Sequence, residues 1–141
     1  MSSFRRIDDR FFIGSQPTAQ DLESAKLEGI KTVIDFRLPS ETTTSNAALT
    51  TGHDLAYVNI PVNKAALSAD QIGDLDRAIG SHDGPFLLHC ATGARAALLL
   101  SLNKARQLGW NADETFSEAK RLGYDLKSAP EFAIFVTETV D

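Results

Sequence analysis

The chain has 141 residues, 43% of them hydrophobic, and a formal net charge of −5 at pH 7. That is the length of one domain with enough chain to bury a core, and residues 1–141 are read as one. The acidic balance argues against a nucleic-acid binder: the N-terminal basic pair, Arg5-Arg6, is too short to count and is followed at once by Asp8 and Asp9.

Other classes fall away on simple counts. No stretch nears the roughly 18 consecutive apolar residues of a membrane span. Met1 to Phe12 lacks the apolar centre of a signal peptide. The single cysteine, Cys90, has no internal disulfide partner, so a reducing, cytoplasmic setting is expected.

In chain order, Phe11-Phe12-Ile13 reads as a short strand ended by Gly14. Pro17 to Leu27 reads as a helix with Thr18 and Asp21 as a capping pair and Gly29 as its stop. Ile30 to Phe36, rich in β-branched and aromatic residues, predicts a central strand, and Arg37, Pro39 and Ser40 a loop after it. A poorly specified helix is expected from about Ser45 to Gly52. Leu55 to Val62 predicts another strand, with Pro61 marking its end or an edge position. Ser68 and Gln71 form a capping box before Ile72, Leu75 and Ile79, and that helix closes at Gly80. Pro85 to Leu88 predicts a strand, Ala94 to Leu108 a long apolar helix, and Asn111 or Asp113 the start of a helix to Leu122. A last helix starts at Pro130. Alternating strands and helices imply an α/β fold with a central, mostly parallel sheet flanked by helices on both faces.

The chain is organised around His89-Cys90-Ala91-Thr92-Gly93-Ala94-Arg95, a tight loop between a strand and a helix. Such a turn aims backbone N–H groups and the positive end of a helix dipole at one point. A thiol placed there is expected to ionise readily, and the same cup suits a tetrahedral oxyanion gripped by Arg95. Cys90 is then the nucleophile, the N–H groups of Ala91, Thr92, Gly93, Ala94 and Arg95 the cradle, and Arg95 the clamp. Gly93 lets the loop turn tightly. Because ligands bind beyond the C-terminal ends of parallel strands, Asp35-Phe36-Arg37 and Val62-Asn63-Lys64 are expected on the same side. Arg37 is either a salt-bridged scaffold or a substrate contact, and Asn63 and Lys64 are candidates to line the pocket. His89 is read as packing or as ordering the loop. His53 and His82 fall in turns, and the histidines lack metal-ligand spacing, so neither metal nor cofactor is expected.

His-Cys-x-x-Gly-x-Arg after a strand resembles the signature of cysteine-dependent protein tyrosine phosphatases. More closely, the chain resembles the beta-lactamase hydrolase-like phosphatase domain family, a bacterial branch of the dual-specificity phosphatase fold. Ile13-Gly14-Ser15-Gln16-Pro17, Lys31 to Arg37, Tyr57 to Val62 and Gly123-Tyr124-Asp125-Leu126 support the resemblance, which runs from Phe4 to Leu126. It implies a phosphatase-type α/β fold and catalysis by Cys90 and Arg95, with His89 as a loop-ordering neighbour. The implied partner is a phosphate-bearing small molecule or a phosphoprotein.

The chain departs from that pattern in places. Tyrosine phosphatases in general place one residue more between cysteine and arginine, whereas many rhodanese-like sulfurtransferases share the shorter spacing. Ala96 stands where phosphatases usually carry Ser or Thr, leaving Thr92 as the only loop hydroxyl. Asn63 and Lys64 stand where dual-specificity enzymes place an acidic aspartate. A sulfurtransferase or persulfide carrier using Cys90, and a module that binds an anion without turnover, therefore stay open beside the phosphatase.

Overall fold

A computed structural model describes residues 4–41 and 46–140. Five strands, β1 (Phe4–Arg6), β2 (Phe11–Gly14), β3 (Thr32–Asp35), β4 (Ala56–Asn59) and β5 (Phe86–His89), form one sheet in the order β1-β2-β5-β3-β4. All neighbours are parallel except β1 and β2. The α/β, mostly parallel architecture expected from the sequence is the observed one. Its antiparallel edge, β1, comes from a segment whose pattern offered no strand: only Phe4 of its three residues is buried.

The helices are α1 (Ala19–Leu27), α2 (Asn46–Thr51), α3 (Asp70–Ser81), α4 (Ala94–Leu108), α5 (Ala112–Arg121) and α6 (Pro130–Val140). Thr18 and Asp21 close a complete capping box on α1, and Asn111 with Glu114 does the same for α5. The box before α3 is half formed. The Gln71 side chain accepts from the Ser68 N–H, but the Ser68 hydroxyl accepts from Asp70 instead of Gln71. The strands around Val33 and Val58 are shorter than their apolar runs suggested, and Ser45 lies outside the described residues. β4 is an edge strand, as Pro61 implied.

Side chains alternate across the sheet and build two cores. On one face Phe11, Ile13, Ile34, Phe86 and Leu88 pack against α3 to α6. On the other, Phe12, Val33 and Leu87 meet Leu22 and Ala25 of α1, with Leu49 of α2 beside them. Helix α4 is buried along most of its length, Ala96 to Asn103 without a break, because the sheet and its neighbouring helices enclose it. Each fully buried leucine there contributes roughly 1.5–3 kcal/mol of hydrophobic stabilisation. β5 is the central strand. In register, Gly14 of β2 and Asp35 of β3 lie opposite His89, so three strand ends meet at one place.

Candidate active site

β5 ends at His89, and Cys90 to Gly93 lead directly into α4. The loop is tied down from both sides. The Phe36 N–H donates to the His89 carbonyl at 2.9 Å and the Gln16 N–H to the Ala91 carbonyl at 3.4 Å. Inside the turn, the Gly93 N–H donates to the Cys90 sulfur at 3.0 Å. Gly93 has φ +101°, and a Cβ there would lie 2.0 Å from the Tyr124 hydroxyl oxygen. Both the backbone and the space therefore demand glycine. The Tyr124 hydroxyl donates to the Thr92 carbonyl at 3.2 Å, bracing the outside of the loop. Burial raises the Tyr124 pKa. Cys90 exposes no surface and belongs to the apolar core on the α4 side.

Arg95 projects from the first turn of α4 and is not turned out to solvent; its side chain is 13% exposed. Nη1 donates to Glu41 Oε2 at 2.7 Å and to the Val62 carbonyl at 3.0 Å, while Nη2 donates to Glu41 Oε1 at 2.6 Å. The neighbouring Cys90 sulfur also favours the charged guanidinium. Glu41 raises the Arg95 pKa, and Arg95 in turn holds the Glu41 carboxyl below its usual range, helped by the Leu38 N–H. Sequence reasoning missed Glu41. It closes a short 3-10 helix, Pro39–Glu41, and meets Arg95 across 54 positions of chain, so no local pattern announced it. Its only signal was an acid just past the end of a central strand.

Behind the loop lies a buried polar cluster. Arg37 donates through Nε and Nη2 to the two Asp35 oxygens at 3.0 and 3.1 Å, and the Tyr57 hydroxyl donates to Asp35 Oδ2 at 2.8 Å. The Asn59 amide donates to the backbone carbonyls of Asp35 and Arg37. Arg37 is 1% exposed, and its Nη1 has no hydrogen-bond partner among the described residues. Of its two sequence readings, the geometry matches the scaffold: Arg37 does not line the groove described below. His89 Nδ1 lies 3.8 Å from Asp35 Oδ1. Burial drives the His89 pKa down to about 4, against the pull of Asp35, so the imidazole is neutral near pH 7. Its hydrogen bond to the Cys90 backbone joins packing and loop ordering in one residue.

A groove of about 360 Å³ opens over the loop. Ala91, Thr92, Ala94 and Arg95 line it together with Asn63 and Lys64, and Leu38, Glu41 and Phe132 complete the wall. The structure thus brings Asn63 and Lys64 to the loop as expected. Phe132 reaches the groove from α6, a helix that the sequence did not connect with the site. The Lys64 ammonium lies 5.6 Å from the Phe132 ring centroid and 3.5 Å from Glu131 Oε2. No helix among the described residues is long and apolar enough to cross a membrane.

A cysteine at the head of a strand–loop–helix turn, on the central strand of this sheet, defines the phosphatase-like class of α/β domains. Residues 3–107 match the family described as beta-lactamase hydrolase-like protein, phosphatase-like domain, and the chain belongs to that family. It is 28% identical over 130 residues to the beta-lactamase hydrolase-like protein of Xylella fastidiosa, covering 87% of this chain and 30% of the relative. The chain therefore spans less than a third of that relative's length. A candidate phosphatase of Neisseria meningitidis shares the fold with a TM-score of 0.80, 23% identity and 99% coverage of both chains. TpbA of P. aeruginosa, in a cysteine-to-serine form complexed with phosphotyrosine, aligns at TM-score 0.78 and 17% identity over 95% of this chain and 82% of its own.

Proposed function

We propose that this domain is a cysteine-dependent phosphatase that hydrolyses an aryl phosphomonoester, such as phosphotyrosine, through a thiophosphate on Cys90. One observation carries the reading. The Cys90 sulfur accepts the Gly93 N–H at the mouth of α4, with Arg95 held beside it. Family membership and the phosphotyrosine bound by the TpbA variant support it.

In the proposed reaction the sulfur attacks phosphorus in line and the S–P bond forms as the ester P–O bond breaks. The leaving oxygen departs with the bonding electron pair as a phenolate and afterwards takes a proton from water. Water then attacks phosphorus, frees inorganic phosphate and returns the electron pair to Cys90. The loop N–H groups and Arg95 stabilise the charge that builds on the phosphoryl oxygens. Among the groove's lining residues the sole carboxylate, Glu41, is ionised and bound to Arg95. A leaving group that departs without help, a phenolate, is therefore favoured over an alkoxide. A reducing, cytoplasmic setting keeps the thiol free for this chemistry. Hydrolysis of an activated aryl phosphate by the native protein but not by Cys90→Ser is the expected result. Equal rates for the two, or none for the native protein, sink the proposal.

The four-residue spacing and the absence of a free acid on the lining favour a second reading, sulfur transfer through a persulfide on Cys90. Thiosulfate would pass its outer sulfur to Cys90 and release sulfite. Mass spectrometry of the protein after incubation with thiosulfate reads this directly, and an unchanged mass removes the alternative.

A further inference from the structure

The groove over the cysteine loop does not end at Phe132. Lys64 lines both this groove and a second hollow of about 230 Å³. One wall of the second hollow is a single face of α6, Glu131, Ile134, Phe135 and Glu138, at helical spacing. Ala65 and Leu67 form the opposite wall. Ile134 is 58% exposed, a large apolar side chain left uncovered at that place.

The charges of the two hollows differ. Over the loop, each lining cation is matched: Arg95 by Glu41 and Lys64 by Glu131. The loop can still offer N–H donors to one phosphoryl group, but no lining cation is spare for a second or third. In the flanking hollow Glu131 is engaged by Lys64, whereas Glu138 forms no ion pair among the described residues. The hollow is apolar with one uncompensated negative charge, which suits a cation carried next to an apolar group. Glu131 and Glu138, two helical turns apart, are separated by roughly 10 Å along the helix, the reach of about three residues of extended peptide.

Building on the phosphatase reading, we propose that the substrate is a phosphorylated peptide segment. Its phosphoryl group enters the cysteine loop, and an apolar residue followed by a basic one lies along α6.

The test compares kcat/KM for phosphotyrosine peptides carrying an Ile-Lys or an Ile-Glu pair, on either side of the phosphorylated residue. An activated aryl phosphate serves as the reference, with Ile134→Asp and Glu138→Lys as variants. Neither residue lines the catalytic groove. The native protein should prefer the Lys peptide on one side by about five-fold, the size of one partly exposed ion pair. Glu138→Lys should abolish that preference, Ile134→Asp should weaken both peptides, and aryl phosphate turnover should not change. Equal rates on all peptides, a preference that survives both substitutions, or faster hydrolysis of an inositol polyphosphate overturns the proposal. Should the native protein hydrolyse nothing, the catalytic reading fails separately. Peptide binding to Cys90→Ser then judges the docking surface, and equal affinity for the Lys and Glu peptides overturns it.

Discussion

Arg95 places both Nη groups on the carboxylate of Glu41, at 2.6 and 2.7 Å, while its second Nη1–H reaches the Val62 carbonyl. Three contacts fix the plane of the guanidinium before any anion arrives. Glu41→Gln keeps the shape but removes one charged acceptor. Hydrogen bonds to charged groups contribute roughly 1.5–3 kcal/mol, so kcat on an aryl phosphate should fall at least about ten-fold. KM should not rise, because a less neutralised Arg95 attracts the anion more strongly. Steady-state kinetics separate the two, and an unchanged kcat removes Glu41 from any positioning role.

Gly93→Ala meets two obstacles, the positive φ and the Tyr124 hydroxyl 2.0 Å from the new methyl. Aryl phosphate turnover should drop about 100-fold or more and Tm should fall by several degrees. Combining it with Tyr124→Ala removes the clash but not the strain. The double variant should therefore recover part of the melting temperature and none of the turnover.

Arg37→Met strips the buried Asp35 carboxylate of its bidentate partner and leaves the Tyr57 hydroxyl. Breaking a buried pair on one side costs roughly 3–5 kcal/mol. Urea unfolding measures it; a loss below about 1 kcal/mol would mean that the cluster is wetter than its burial indicates.

His89 sets an acid limit. Its folded pKa, about 4, lies below the ordinary 6.5, so the unfolded chain binds this proton more readily. Stability should be full above pH 6.5 and decline as pH falls from there towards 4, by an amount of order 3 kcal/mol. His89→Gln should flatten that part of the profile in chemical denaturation at stepped pH. An unaltered slope would assign the acid loss to carboxylates instead.

Cys90, with no exposed surface, should react with a bulky maleimide much more slowly in the native protein than in urea. Inorganic phosphate should slow the native reaction further by filling the groove. Equal labelling rates with and without denaturant would show the loop to be open in solution.

The parts that could be read from the sequence are those whose cause is local. Helix α4 runs from Ala94 to Leu108 as its apolar run foretold, and the box of Thr18 and Asp21 forms as spaced. Cys90, Gly93 and Arg95 could be picked out because one short segment carries their geometry. β1 could not, since three residues with one inward side chain leave no alternation to detect. Glu41, and the brace made by Tyr124, escaped for a different reason: their contacts to Arg95 and Thr92 cross 54 and 32 positions of chain. Arg37 had two open readings until burial separated them.

The Tyr124 brace also bears on how this domain can be cut. A chain stopped at residue 107, where the family match ends, would retain every strand, the cysteine and its arginine. It would lose the phenol that buttresses the turn and the aromatic wall supplied by Phe132. The braced loop therefore depends on chain beyond residue 107, and shorter versions would keep the tools while losing the vice.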